Sequence, residues 1–136
     1  MAGVFVDTSA FLAIKNARDA RHEEAMTLKE RVLRAGRPLV TSDYGLDESY
    51  TMIRRRAGHR IAVEFGQELR ASQVVRVEFL SPEVIEQAWV LFKRFEDKDF
   101  SFTDCTSFAL MQKLRLREVL AFDGHFSQAG FVELRL

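Results

Sequence analysis

The chain has 136 residues, 47% of them hydrophobic and 29% charged, a composition that suits one globular domain with a sizeable core and excludes a disordered chain. Lysine plus arginine and aspartate plus glutamate balance at 20 each, so no bulk field draws the protein to nucleic acid or to an anionic membrane; such binding has to come from local patches. No apolar run approaches the roughly 20 residues of a membrane span, and the start lacks the basic-then-apolar layout of a secretory signal, so a single cytoplasmic domain over residues 1–136 with no membrane partner is expected.

In chain order, a short apolar strand over Gly3 to Val6 runs into an Asp-Thr-Ser turn whose side chains cap a helix beginning near Ala10. Helical periodicity from about Arg21 to Leu33 puts Ala25, Leu28, Val32 and Leu33 on one face. Gly36 and Pro38 then punctuate the join to a strand, Leu39-Val40, that reaches Thr41-Ser42. A helix from about Tyr44 to Arg56 aligns Tyr44, Glu48 and Met52 at i, i+4 spacing, so Glu48 shares a face with apolar residues. Another helix runs from Gly58 to about Ala71, before a β-rich Val74-Val75-Arg76-Val77. Ser81-Pro82-Glu83 opens a helix to about Phe95, with serine as cap and proline in the first turn. A helix over Thr103 to about Leu114 leads to a strand from Glu118 to Phe122, and a last strand spans Val132 to Leu134. Alternation of this kind predicts βαβ units: an α/β fold, a three-layer α/β/α sandwich with a mainly parallel central sheet.

In such a fold sites form outside the carboxyl ends of the strands, where crossovers diverge. Asp7 and Asp123 each follow an apolar strand and belong at that edge; neighbouring helices bring Glu48 and Asp104 toward it. Two like charges 4 Å apart at an effective dielectric near 20 repel by about 4 kcal/mol, so four clustered carboxylates either bind protons or hold a cation. All-oxygen ligation favours Mg²⁺ or Mn²⁺ over Zn²⁺. One or two such ions bind a phosphodiester, activate water for in-line attack and neutralise charge on the leaving oxygen.

Each acid also has a bland explanation. Asp7 caps the first helix, Ser101-Phe102-Thr103-Asp104 has the S-x-x-D form of a capping box, Glu48 beside Asp47 is a solvated helix residue, and Asp123-Gly124 is a turn. Other phosphoryl-transfer folds fit poorly. A haloacid-dehalogenase-like phosphatase needs a second aspartate two positions after Asp7, where Ser9 stands, and a receiver-type domain needs a lysine near the last strands, whereas the last lysine, Lys113, falls within a helix.

Taken together, Val4-Phe5-Val6-Asp7-Thr8-Ser9-Ala10, Glu48 ahead of Arg54-Arg55-Arg56, Phe100-Ser101-Phe102-Thr103-Asp104-Cys105 and Phe122-Asp123-Gly124-His125-Phe126 with Gly130-Phe131 resemble, in order and spacing, the PIN domain, and within it the VapC-type toxins of prokaryotic toxin–antitoxin pairs. The resemblance spans essentially the whole chain. It implies a Mg²⁺- or Mn²⁺-dependent endoribonuclease, a homodimer, and a small antitoxin that neutralises it. Carried over by position, Asp7, Glu48, Asp104 and Asp123 match the acidic quartet, with Asp7 and Asp104 as direct metal ligands and Asp123 more distant. Thr8 or Ser9 and Ser101 or Thr103 match its polar supports. The rival expectation is a silent PIN-like scaffold that binds RNA or antitoxin without cutting.

An RNA substrate requires local positive charge, and the densest cluster is Arg54, Arg55 and Arg56 with His59 and Arg60 close behind; the alternative is a solvated face paired to Glu64 and Glu68. His125 is assigned a rim or packing role, since no cysteine or second histidine near it completes a zinc site. Trp89 and the phenylalanines are assigned to the core, and Cys105 to packing. The apolar face of residues 21–33, with Phe11 and Leu12, is the candidate excess that docks a partner.

Overall fold

A computed structural model describes residues 2–136. The elements are β1 (Val4–Val6), α1 (Thr8–Lys15), α2 (His22–Arg34), β2 (Leu39–Ser42), α3 (Asp43–Ala57), α4 (His59–Ala71), β3 (Val75–Glu78), α5 (Pro82–Arg94), α6 (Phe102–Leu114), β4 (Glu118–Leu120), α7 (His125–Gln128) and β5 (Val132–Glu133). The five strands form one sheet in the order β3-β2-β1-β4-β5, with every neighbouring pair parallel.

Period-2 alternation assigns the strand residues to the two faces. Phe5, Val40 and Val119 join a core with Val84, Ala88 and Leu91 of α5, Cys105 and Phe108 of α6, and Phe126 of α7. Val4, Val6, Leu39 and Leu120 join the opposite core, against α1, α2, α3 and α4. The result is a three-layer α/β/α sandwich whose central strands are buried on both faces, as a parallel sheet requires. Phe11, Leu28 and Val32, expected to leave an excess for a partner, are instead consumed by this second core, Leu12 and Leu33 pack against it, and Ala25 is buried as well.

Two expectations about large side chains change. Trp89 is 45% exposed on α5, 6.1 Å from Phe92 and 5.8 Å from the Lys93 ammonium, rather than in the core. Glu64 and Glu68 do not pair with the arginines of α3; they hold Lys15, at 3.5 and 2.8 Å, and so fasten α1 to α4.

The strand order places a topological switch point at β1. Chain leaving β1 crosses to β2 on one side, while β4 pairs on the other with Phe5 opposite Val119 and Val6 opposite Leu120. The ends of β1 and β4 are therefore adjacent, and the Asp7 N–H donates to the Leu120 carbonyl at 3.0 Å. Only three residues separate α6 from β4, so α6 runs back along the sheet and brings its amino terminus to the same edge. α3 starts directly from β2 at that edge.

Candidate active site

The edge collects all four acids predicted from the sequence, and adds one residue that was assigned elsewhere. Asp7 ends β1 and is the N-cap of α1, which begins two residues earlier than expected because this cap is made. Its Oδ2 accepts the Ser9 N–H at 3.1 Å and the Ser9 hydroxyl at 2.8 Å. Ser9 Oγ in turn accepts the N–H of Phe122 at 3.0 Å, tying Asp7 to the segment after β4. Thr8, the other support candidate, turns to α3, 3.0 Å from Ser49 Oγ and 3.3 Å from the Gly45 carbonyl, where its hydroxyl also steadies the Glu48 carboxylate.

Asp104 is buried in the first turn of α6, and its capping box is complete. Ser101 Oγ accepts the Asp104 N–H at 2.9 Å, and Asp104 Oδ2 accepts the Ser101 N–H at 3.0 Å. The same Oδ2 lies 2.8 Å from His125 Nδ1. Thr103 offers its carbonyl to the Thr106 hydroxyl at 2.6 Å. Asp123 uses Oδ1 to accept the His125 N–H at 3.0 Å, while its Oδ2 is 3.6 Å from His125 Nδ1. Gly124 makes this turn with φ of +82°, a left-handed conformation that a β-carbon disfavours.

A shared pattern emerges. Each aspartate spends one oxygen on local donors, which fixes its rotamer. Asp7 and Asp104 each leave Oδ1 without a hydrogen bond among the described residues, while Asp123 Oδ2 faces His125 Nδ1. Asp104, Asp123 and His125 offer donor atoms that lie within 4.8 Å of one another. His125 was assigned a rim or packing role. Its ring does pack edge-on against Phe100, at 5.7 Å, but Nδ1 enters the acid cluster.

The electrostatics are those of like charges confined together. Burial, then the charge of Asp123, pushes the Asp7 carboxyl up to about 7, against the Ser9 hydrogen bond; Asp104 adds to the rise. Burial also raises Glu48, on the second turn of α3, where the charges of Asp104 and Asp123 reinforce it against the Thr8 hydroxyl. Asp123 is raised chiefly by burial. Burial alone would lower His125, but the charges of Asp123 and Asp104 and the bond to Asp104 outweigh it and raise its pKa. Four crowded carboxylates, with the charges of Asp104 and Asp123 raising Asp7 and Glu48 and one imidazole among them, suit a divalent cation.

The one cysteine is poorly placed to act as a nucleophile. Cys105 follows Asp104 but is buried, and burial with the Asp104 charge pushes its thiol up to about 11, so the reactive thiolate is disfavoured. Arg54, Arg55, Arg56 and Arg60 are exposed and make no ion pair among the described residues. Arg54 to Arg56 follow Glu48 by six to eight positions, roughly 9–12 Å along the helix axis at 1.5 Å per residue.

Comparison with known proteins places this geometry in context. Residues 4–132 match the PIN domain. A 23S rRNA-specific endonuclease VapC20 of Mycobacterium tuberculosis (strain H37Rv) is 46% identical over 133 residues, covering 97% of this chain and 98% of that protein. A VapC ribonuclease of Archaeoglobus fulgidus is 27% identical over 125 residues, covering 90% of this chain and 78% of that protein. The crystal structure of Mycobacterium tuberculosis VapC20, a sarcin–ricin loop cleaving toxin, superposes with a TM-score of 0.88 at 44% identity, covering 98% of this chain and 100% of the other.

Proposed function

From the premise that this chain belongs to the PIN-domain family, we propose that Asp7, Glu48, Asp104 and Asp123 together hold one or two Mg²⁺ or Mn²⁺ ions for the hydrolysis of RNA. The protein is an endoribonuclease of the VapC type, the toxin member of a toxin–antitoxin pair. The observation that carries the site assignment is the crowding of the acids at the switch point: donor atoms of Asp104, Asp123 and His125 lie within 4.8 Å of one another, and the charges of Asp104 and Asp123 raise both Asp7 and Glu48.

A bound divalent cation would supply Lewis acidity, lowering the pKa of a water and neutralising charge on the leaving oxygen. The protein's part is preorganisation. Ser9 fixes the rotamer of Asp7, and Ser101 with His125 fixes that of Asp104, so neither acid has to reorient when substrate arrives. Glu48 adds a fourth negative group from α3, and Asp123 is the most exposed of the three site aspartates. In this reading water is the attacking group, and the products carry a 5′-phosphate and a 3′-hydroxyl.

Identity of 46% to a 23S rRNA-specific endonuclease, over 97% of this chain, supports a 23S rRNA loop as the target. Family membership supports a homodimer, a small antitoxin that silences it, and a cytoplasmic setting; Arg54, Arg55, Arg56 and Arg60 are offered to the outer reaches of a long RNA. The test uses purified protein and a 23S rRNA hairpin in EDTA, Mg²⁺ or Mn²⁺. Cleavage only with metal, leaving 5′-phosphate ends, is expected. A 2′,3′-cyclic phosphate product would mean attack by the ribose hydroxyl and would sink the mechanism. Binding without cleavage under every condition would favour a silent scaffold.

A further inference from the structure

Clustered carboxylates repel a polyanion as they repel each other, so a nuclease built on them needs positive charge at its mouth. The α3 arginines lie well along their helix from Glu48. Two other arginines stand beside the residue that precedes Asp123. Arg21 Cζ is 5.5 Å from the centroid of the Phe122 ring, and Arg135 Cζ is 5.0 Å from the same centroid. The Phe122 N–H donates to Ser9 Oγ, which bonds Asp7, and Phe122 directly precedes Asp123, so the residue under both arginines is anchored just past the carboxyl end of β4, at the edge that carries the acids.

Both guanidiniums are held in place by acids. Arg21 Nη1 donates to Glu24 Oε1 at 2.8 Å, and Arg135 Nη2 donates to Glu133 Oε1 at 2.9 Å. Arg135 Nη1 also donates to the carbonyls of Ala121 and Leu134, at 2.8 and 2.7 Å. Exposure decides which charge solvent meets. The Arg21 and Arg135 side chains are 48% and 37% exposed, against 18% and 3% for Glu24 and Glu133. The cations face outward and the acids lie inward, although each pair is neutral in sum.

We infer that Arg21 and Arg135 form a phosphate clamp at the mouth of the site, receiving RNA backbone phosphates beside the scissile one. The inference rests on the nuclease reading above. Guanidinium groups stacked on one ring and braced by acids and carbonyls lose little freedom on meeting a phosphate, and their planar forks match its oxygens. Such contacts set register and affinity and leave base choice to other groups. The competing role is a latch for the tail, because Glu24 Oε2 also accepts the Leu136 N–H at 3.4 Å.

Salt dependence separates the two roles. The probe is a fluorescein-labelled 23S rRNA hairpin, with binding followed by anisotropy in EDTA, where cleavage is off. Arg21→Gln and Arg135→Gln should each reduce the slope of log affinity against log salt by about 0.7–0.9, the change for one lost phosphate contact. Affinity at low salt should fall several-fold, and with Mn²⁺ KM should rise while kcat stays within about twofold. Arg135→Lys, which keeps the charge, should recover the slope. Thermal unfolding of each variant controls for the latch: a slope that follows Tm rather than charge, or slopes equal to wild type in both folded variants, overturns the clamp. The two readings fail separately, since wild-type protein that never cleaves removes the nuclease while the binding slopes still judge the arginines.

Discussion

Asp7 is both a helix cap and a member of a crowded acid cluster, and its titration records the conflict. In the unfolded chain its carboxyl ionises near 3.8; in the fold, burial and its neighbours push it to about 7. The folded protein therefore keeps a proton that the unfolded chain releases, and stability is lost as pH rises from about 4 through 7. His125, also raised, loses its contribution in the same direction, above its unfolded value of 6.5. Metal-free protein should thus melt several degrees lower at pH 8 than at pH 5, Asp7→Asn should flatten that slope, and Mn²⁺ should restore stability at pH 8. Equal slopes for wild type and Asp7→Asn, measured in EDTA, would remove Asp7 as the source. Asp7, Asp104 and Asp123 were legible in the sequence because each stands where a local pattern breaks, and Glu48 because it shares a helix face with apolar residues. His125 was not, because its partner Asp104 lies 21 positions away and no local rule couples them.

Among the elements, α6 poses the question of cap against ligand, since Asp104 completes a capping box and also faces the cluster. The two roles use different oxygens and so respond to different substitutions. Ser101→Ala removes only the cap and should cost about 1 kcal/mol by denaturant unfolding, with cleavage retained. Asp104→Asn keeps an oxygen for the Ser101 N–H but removes the charge; it should abolish cleavage while metal-free stability holds or rises. A variant that unfolds more easily yet still cleaves would leave Asp104 as a cap alone. Helix positions were readable to within a residue or two because capping serines and prolines marked their starts. Strand β4 was read too long, to Phe122, for a reason absent from its apolar run: the Ala121 carbonyl is taken by Arg135 and the Phe122 N–H by Ser9, so pairing stops at Leu120. The four-residue α7, which carries His125, is too short to show a helical period.

For the whole molecule, the two cores share the sheet, and aromatic packing is concentrated on the α6 side. Phe108 contacts Phe100, Phe126 and Phe131, with ring centroids 4.9, 5.0 and 5.7 Å away. Phe108→Ala should cost roughly 3–5 kcal/mol in denaturant unfolding. A loss under 1 kcal/mol would mean that the α5–α6 layer is not fastened through this ring. The fold was legible because strand alternation and capping agreed; Trp89 was misplaced because apolar character alone does not distinguish the inner face of α5 from its outer one. The Ser9 hydroxyl, finally, has a temporal meaning. It spans from Asp7 to Phe122, the two being 115 positions apart in a chain made in one direction. A partly synthesised chain ending before β4 has nothing for Ser9 to receive and neither Asp123 nor His125 to offer. The ribosome that makes this enzyme is therefore not exposed to a finished carboxylate cluster until nearly the last strand has left it.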